Sequence, residues 1–287
     1  MGFTTTSAVF VRFYVCFYDE MSRKIRLDLH LLTKGIVDSR NRAQQIIRAG
    51  KVRDSLGQVL DKPGHEVPLG LEVIVQESPR FVSRGGQKLL AAIDSFPIDV
   101  SGMVCLDCGI STGGFTDCLF QHGAKKVYGI DVGYGQTAWS LRTDPRLVLL
   151  ERTNLRKLTI EDLYQPQDQW ATFAVADLSF ISLKLVLPTI KSLLMDDNPQ
   201  VVLLVKPQFE VGKEKVGKGG VVRNPQFHID ALKSIIKFSL EESWKPKGLI
   251  PSPITGPSGN HEYLLWLAKE GDSEFLSVEK IVQNTLS

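Results

Sequence analysis

The chain has 287 residues, of which 43% are hydrophobic and 23% are charged, and these proportions are ordinary for a globular protein. Its formal net charge of +2 excludes a polycation, although one segment is strongly basic. No apolar run reaches the roughly twenty residues that a membrane-spanning helix needs, so we expect no membrane partner. The length allows one large or two smaller domains.

The first twenty residues differ from the rest of the chain. Residues from Ala8 to Tyr18 are apolar and aromatic, and Arg12 interrupts them. A basic n-region and an Ala-x-Ala cleavage site are both missing, which argues against a secretory signal peptide. We therefore predict that residues 1–20 are an extension outside the fold, and we note that Met21 stands directly before the basic segment.

The four cysteines do not have the pattern of a disulfide framework. Cys105 and Cys108 have the CxxC spacing of some zinc and redox sites, but no second CxxC exists in the sequence. Residues three apart on a strand point to opposite faces of the sheet. The favoured interpretation is buried thiols in a reducing cytoplasm, with no bound metal.

A basic segment opens the predicted fold. From residue 22 to residue 53 the sequence holds nine Lys or Arg residues against two acids, which indicates a polyanionic partner. A solvated basic face without a ligand is the alternative. One helix is predicted from Arg26 to Gly35, and a second is capped by Ser39 and ends before Gly50. Short β-like segments up to Val75 complete a compact unit.

An apolar run, a glycine-rich turn and the start of a helix follow one another between Val104 and Phe115. This order is typical of the first strand, turn and helix of an open α/β sheet, where the backbone approaches a ligand closely. The glycine spacing is not GxGxxG and no GK[ST] follows, which argues against a dinucleotide site and against a P-loop. A second buried strand ends at Asp131, whose carboxylate can hold the hydroxyls of a ribose. The shape Asp-x-Gly-x-Ser-x-Gly-Gly-Phe, starting at Asp107, resembles the cofactor turn of S-adenosylmethionine-dependent methyltransferases.

Further buried strands are predicted at 147–150, 173–177, 201–205, 247–250 and 260–267, with helical segments between several of them. Ligands of such sheets bind beyond the carboxyl ends of the strands. We therefore expect Gly109, Asp131, Asp177 and Lys206 to lie on one rim of the sheet.

Two lysines and two acids are candidates for the chemistry of this rim. They are Lys88, Asp177, Lys206 and Glu262. Lys88 lies near the start of a helix predicted from Leu90 to Phe96, where the helix macrodipole disfavours a cation. This position suggests a role other than helix stability, and a surface lysine without a role is the alternative. The Gly85-Gly86 pair before it is predicted to make a special turn. A lysine that lies near another cation and away from water is a usable base, and the acids would hold the array in place.

Several short motifs of the basic segment resemble the S-four-type RNA-binding module, which is named for a small-subunit ribosomal protein. They are Arg26-Leu27-Asp28, Gly35, Ser39-Arg40, Ala49-Gly50-Lys51-Val52 and Lys62-Pro63-Gly64. The resemblance implies recognition of folded RNA through phosphate and shape contacts. The residues that we expect to bind RNA are Arg23, Lys24, Arg26, Arg40, Arg42, Arg48, Lys51 and Arg84.

Six further segments follow in an order similar to that of the TlyA (haemolysin A-like) family of FtsJ-type methyltransferases. They are SRGGxKL at 83–89, DxGxSTGGF at 107–115, DVGYGQ at 131–136, DLSFIS at 177–182, KPQFEVG at 206–212 and NxEY at 260–263. The resemblance implies an α/β fold. A Rossmann-like methyltransferase domain with a mostly parallel seven-stranded sheet would span residues 79–287, after a small α+β RNA-binding domain at 21–78.

The same resemblance implies methyl transfer from S-adenosylmethionine to the 2′-hydroxyl of a cytidine in ribosomal RNA, either free or in a ribosomal subunit. Lys206 would be the base, Lys88 and Asp177 would tune and position it, and Glu262 would complete the network. The implied cofactor-binding residues are Asp107, Gly109, Ser111, Thr112, Gly113, Gly114 and Phe115 in the turn, Asp131 at the ribose and Asn154 at the adenosine.

Three other functions compete with this interpretation. The family name suggests a membrane-active cytolysin, but the strand–helix pattern is typical of a soluble enzyme. A non-catalytic RNA-binding protein on a methyltransferase fold is a second alternative. The presence of all four candidate catalytic residues argues against it. A base methyltransferase is a third, but the Asp177-Leu178-Ser179-Phe180 segment lacks the proline of the motif that amino-group methyltransferases use.

Overall fold

A computed structural model describes residues 23–76, 79–274 and 277–287 of the chain. The fold consists of two compact units, the second of which begins at Pro79. The predicted extension at residues 1–20 lies outside the described residues. No helix within the described ranges is both long enough and apolar enough to cross a membrane.

The first unit combines two helices with short antiparallel strands. Its elements are β1 (Lys24–Arg26), α1 (Leu27–Thr33), α2 (Arg40–Arg48), β2 (Val52–Asp54), β3 (Glu66–Pro68) and β4 (Val73–Val75). β1 pairs with β3 and β2 pairs with β4. The predicted cap of the second helix is confirmed, because the Ser39 side chain accepts a hydrogen bond from the Arg42 N–H at 3.3 Å. The helices bury Leu27, Leu31 and Ile47 between them and the strands.

The second unit is built around one large β-sheet. Among the described residues its strands are β5 (Val104–Cys108), β6 (Lys126–Ile130), β7 (Leu147–Leu150), β8 (Phe173–Ala176), β9 (Gln200–Val205), β10 (Lys245–Pro251) and β11 (Tyr263–Ala268). They lie in the order β10-β11-β9-β8-β5-β6-β7. β11 runs antiparallel to both of its neighbours, and the other adjacent strands are parallel. The predicted Rossmann-like, mostly parallel seven-stranded sheet is therefore confirmed.

Helices cover both faces of this sheet. They are α3 (Gly85–Ser95), α4 (Gly114–Gln121), α5 (Trp139–Arg142), α6 (Ile160–Leu163), α7 (Leu187–Ser192), α8 (Pro207–Glu210), α9 (Pro225–Glu241) and α10 (Val278–Leu286). α3 and α4 pack with Cys105 on one face, whereas α7, α9 and α10 pack with Leu106 on the other. Since both faces are buried, the strands are continuous apolar runs rather than alternating ones, which made them visible in the sequence.

The prediction of a special turn at Gly85-Gly86 is wrong. Both glycines belong to α3, which begins at Gly85 rather than near Leu90. The need for glycine is steric, because a Cβ on Gly86 would lie 2.6 Å from Cδ2 of Phe81 and closer still to its Cγ. The missing side chain therefore permits close packing and not an unusual backbone angle.

Candidate active site

The strand order of the sheet reverses between β5 and β8, and the candidate site lies at their carboxyl ends. Asp177 follows β8, and its N–H donates to the carbonyl of Cys108 at the end of β5, at 3.1 Å. Gly109 follows β5 with a φ of +91°, and a Cβ there would lie 2.7 Å from the backbone oxygen of Asp177. Open α/β sheets bind their ligands at such reversal points. The structure thus brings the predicted cofactor turn and Asp177 into contact.

Asp107 ties the cofactor turn to the helix that follows it. Its Oδ2 accepts hydrogen bonds from the N–H and the hydroxyl of Thr116, at 3.0 and 2.7 Å. Between them, Gly113 has a φ of +95°, a left-handed conformation that favours glycine. Gly114 must lack a Cβ as well, because one would collide with the Ser83 hydroxyl. The turn is therefore held by the hydrogen bonds of Asp107 and by close packing against the segment before α3.

Asp131 connects the cofactor turn to the turn after β6. Its two carboxylate oxygens accept hydrogen bonds from the N–H groups of Ser111 and Gly133, at 2.8 and 2.7 Å. A carboxylate oxygen can accept further bonds, so these contacts leave room for ribose hydroxyls. That role of Asp131 remains a prediction.

The other predicted cofactor residues have different local environments. Thr112 is exposed, and its carbonyl accepts from the N–H of Ala138 at 3.1 Å. Phe115 is only 3% exposed and packs into the core beneath the turn. Asn154 is exposed and caps a short 3-10 helix by accepting from the Arg156 N–H at 3.1 Å.

The residues of the turn fit a small polar ligand that carries hydrogen-bond donors. A small cavity here is lined by Ser83, Gly109, Ser111 and Asp177, among others. The Oδ1 atom of Asp107 is buried and has no hydrogen-bond partner within the described ranges. Burial, together with the negative charges of Asp177 and Asp131, raises the pKa of the Asp107 carboxyl to about 7. A glycine turn with an unpaired acceptor at its base, and with Ser111 and Asp177 in the lining of its cavity, suits the polar amino-acid end of S-adenosylmethionine.

The four candidate catalytic residues form two ion pairs at the same edge of the sheet. Lys88 Nζ donates to Glu262 Oε2 at 2.5 Å, and their side chains are 9% and 2% exposed. Lys206 Nζ lies 2.6 Å from Asp177 Oδ1, and its side chain is 9% exposed. The two pairs are neighbours, because Lys206 directly follows β9 and Glu262 directly precedes β11, which pair through Tyr263 and Val205.

Two residues at this edge were not identified from the sequence. The Ser179 hydroxyl accepts a second hydrogen bond from Lys206 Nζ, at 3.0 Å. Glu210, at the end of α8, accepts from the Ser182 hydroxyl and from the Leu183 N–H. The residues of each pair are 27 or 28 positions apart, so no spacing rule for a helix or a strand indicated these contacts.

Most of the predicted RNA-binding residues lie in the first unit and are exposed, whereas Lys51 is half-buried. Arg26 and Arg40 both donate to the buried carboxylate of Asp28, at 3.0 and 3.1 Å. The Arg26 guanidinium, above all, holds the pKa of Asp28 far below its usual range. Two of the predicted cations are therefore fixed in orientation by one buried acid. In the second unit, Arg84 donates to the carbonyl of Thr255 at 2.9 Å.

The CxxC cysteines lie in two different cores. Cys105 packs on one face of the sheet and Cys108 on the other, as the strand periodicity predicted. Burial raises the pKa of the Cys105 thiol to about 12, which leaves it protonated and unreactive. In the part of the chain that the structure describes, no group of three His, Cys, Asp or Glu side chains is arranged to hold a metal ion.

Comparison with known proteins identifies the family of this site. The FtsJ-like methyltransferase family matches residues 81–269. The chain is 47% identical to the 16S/23S rRNA (cytidine-2′-O)-methyltransferase TlyA of Mycobacterium tuberculosis over 88% of its own length and 92% of that protein. It is 39% identical to Hemolysin A of Brachyspira hyodysenteriae, over 84% of the chain and 98% of that protein.

A solved structure shows the same architecture. A Streptococcus thermophilus protein that carries the name hemolysin aligns with a TM-score of 0.68 and 39% identity, over 91% of this chain and 95% of that one. The chain therefore belongs to the FtsJ-like methyltransferases, which use S-adenosylmethionine as methyl donor, and within them to the TlyA (haemolysin A-like) family.

Proposed function

We propose that this protein methylates the 2′-hydroxyl of a cytidine in ribosomal RNA. The observation that carries the proposal is the pair of lysine–carboxylate contacts at the edge of the sheet, next to the glycine turn. A 2′-hydroxyl is a weak acid, so its methylation needs a base held close to it, and catalysis is mainly positioning and proton transfer. The relatives named above support ribosomal RNA as substrate.

S-adenosylmethionine would be held by the turn after β5 and the turn after β6. The residues that we expect to contact it are Asp107, Gly109, Ser111, Thr112, Gly113, Gly114, Phe115, Asp131 and Asn154. When bound, it supplies an electrophilic methyl group on a sulfonium, which is an excellent leaving group. The left-handed backbone at Gly109 and Gly113 lets the chain pass close to such a ligand.

Lys206 is the base in this proposal. As a neutral amine it accepts the proton of the 2′-hydroxyl, and Asp177 then stabilises the ammonium that forms, at 2.6 Å. The Ser179 hydroxyl fixes the direction of Nζ from a second side. In this proposal the Lys88–Glu262 pair lies beside it and helps to position Lys206, and Glu262 keeps Lys88 in place.

The first unit supplies the affinity for RNA in this proposal. Lys24, Arg26, Arg40, Arg42 and Arg48 are exposed cations on one small unit, as phosphate contacts require. The substrate would be free ribosomal RNA or an assembled ribosomal subunit, and the protein would work in the cytoplasm. Methylation of both kinds of substrate in vitro, compared at equal concentration, separates the two.

The test of the base is Lys206→Ala, with Lys237→Ala as a control that removes an exposed lysine elsewhere on the second unit. We expect Lys206→Ala to bind S-adenosylmethionine as the wild type does in calorimetry, and to lose methylation of ribosomal RNA by about 100-fold or more. Full methylation by this variant would refute the role of Lys206.

The substrate is tested in cells. Mass mapping of ribosomal RNA with and without the gene should show the loss of a methylated cytidine ribose when the gene is absent. An unchanged methylation map would contradict the proposed substrate, whatever the result with Lys206→Ala.

A further inference from the structure

The turn after β8 and the short helix α8 after β9 contact each other at two places. At the first place, Lys206 Nζ contacts Asp177 Oδ1 at 2.6 Å and Ser179 Oγ at 3.0 Å. Asp177 and Ser179 are both in the turn after β8, and Lys206 directly precedes α8. The position of the proposed base therefore depends on how this turn is held against α8.

The second place lies one helical turn further along α8, at Glu210. Its Oε2 accepts a hydrogen bond from the Ser182 hydroxyl at 2.6 Å, and its Oε1 accepts one from the Leu183 N–H at 2.8 Å. Each carboxylate oxygen thus has its own donor from the far end of the same turn. Burial raises the pKa of Glu210, as expected for a carboxyl group enclosed between two segments.

Between these two sets of contacts, the turn after β8 has a backbone conformation that it would not adopt without them. Phe180 has a φ of +64°, in the left-handed region that is unfavourable for a phenylalanine. The residue is 92% exposed, so burial does little to offset that strain. Its ring meets that of Phe209 on α8 at 5.2 Å between centroids. Such a conformation persists only where the surrounding contacts determine it.

We propose that Glu210 is a positioning residue for the methyl transfer. Its carboxylate locks the end of the turn to α8, and this keeps Asp177 and Ser179 in place around Lys206 Nζ. Glu210 itself touches neither Lys206 nor the reacting atoms, and the function that it serves rests on the proposal made above. The geometry of its two bonds, and not its negative charge, is what matters.

The variants must therefore separate the loss of the two hydrogen bonds from the loss of the negative charge. Glu210→Ala removes both acceptors. Glu210→Gln keeps a carbonyl oxygen for the Leu183 N–H and places an amide that can donate to the Ser182 hydroxyl. Glu214→Gln removes one negative charge from the exposed loop just beyond α8 and is the matched control.

We expect Glu210→Ala to lower kcat by roughly 10- to 100-fold, because a displacement of about 1 Å at a catalytic group has an effect of that size. The affinity for S-adenosylmethionine should stay within about twofold of the wild type, since the turn after β5 is unchanged. Glu210→Gln should retain most of the kcat, and Glu214→Gln all of it. Amide hydrogen exchange at Leu183 should accelerate in Glu210→Ala and stay slow in Glu210→Gln.

Two results would overturn the proposal: wild-type kcat in Glu210→Ala, or a Glu210→Gln protein as impaired as Glu210→Ala. If Glu210→Ala does not fold, Ser182→Ala removes one of the two bonds, and it should lower kcat by a smaller factor with unchanged cofactor affinity. A wild-type kcat in folded Ser182→Ala would then refute the tie. A wild-type protein that methylates no ribosomal RNA would instead count against the proposed function.

Discussion

Removal of the Glu262 carboxylate should destabilise the second unit strongly. The Lys88–Glu262 pair is among the most buried ion pairs of the described residues, with exposures of 9% and 2% and a separation of 2.5 Å. Loss of one partner of a buried pair leaves an uncompensated charge and costs about 3–5 kcal/mol in free energy of unfolding. For a unit of this size that corresponds to a fall in Tm of roughly 10 °C.

The same reasoning gives the opposite expectation for the double variant. When both charges of a buried pair are replaced by apolar side chains of similar volume, stability is often unchanged or improved. Lys88→Met/Glu262→Leu should therefore be more stable than Glu262→Leu alone by about 2 kcal/mol or more, and we expect neither variant to methylate ribosomal RNA. The exposed Lys237–Glu241 pair, at 3.9 Å, is the control, and Glu241→Ala should change stability by less than about 0.5 kcal/mol.

Urea unfolding of five proteins, followed by fluorescence, measures these differences: the wild type, Glu262→Leu, Lys88→Met, the double variant and Glu241→Ala. Additive effects of Glu262→Leu and Lys88→Met in the double variant would refute the expected coupling, because additivity means that the two charges do not depend on each other. A Glu262→Leu protein as stable as Glu241→Ala would also contradict it.

Two further predictions concern stability. Burial, above all, raises the pKa of the Asp107 carboxyl to about 7 in the folded protein. The contribution of Asp107 to the free energy of unfolding is therefore complete below the unfolded-state pKa near 4, and it decreases as the pH rises to 7. Relative to Asp107→Asn, which does not titrate, the wild type should lose about 1.4 kcal/mol per pH unit between about pH 5 and 6.5 in urea unfolding, and a constant difference would contradict the burial argument. Gly86→Ala should cost about 1–3 kcal/mol because its Cβ would meet Phe81, which outweighs a helix-propensity gain of about 1 kcal/mol. Gly85→Ala in the same helix, where the nearest atom would lie at 3.4 Å, should be neutral or stabilising in the same thermal melt, and equal Tm values for the two variants would refute the clash.

The strands of the sheet and the residues at the rim of the site could be predicted from the sequence. Strands buried on both faces are short apolar runs that end in Gly, Asp or Lys, and the strand predicted at 147–150 has the observed bounds. Because parallel strands share one carboxyl edge, the ends at Gly109, Asp177 and Lys206 had to lie near one another.

The contacts that hold Lys206, the proposed base, could not be inferred from the sequence. Ser179 lies after β8 and Glu210 lies after β9. The side chain of each contacts a partner 27 or 28 residues away in the sequence. Gly86 was interpreted as a turn residue because a glycine pair suggests an unusual backbone angle, whereas the cause is the packing of Phe81 against α3. Local patterns report backbone preferences, and these contacts depend on tertiary packing.

The two ion pairs are not equivalent, and their burial favours Lys206 over Lys88 as the base. A base must release its proton to water between turnovers, so its partner has to be reachable from solvent. Asp177 is 22% exposed and the neighbouring Ser179 is exposed, which gives the Lys206 proton a route out. Glu262 is 2% exposed, so a proton passed between Lys88 and Glu262 would stay between them. The Lys88–Glu262 pair is therefore suited to a positioning role beside Lys206, and the Lys206–Asp177 pair is suited to exchange protons with solvent.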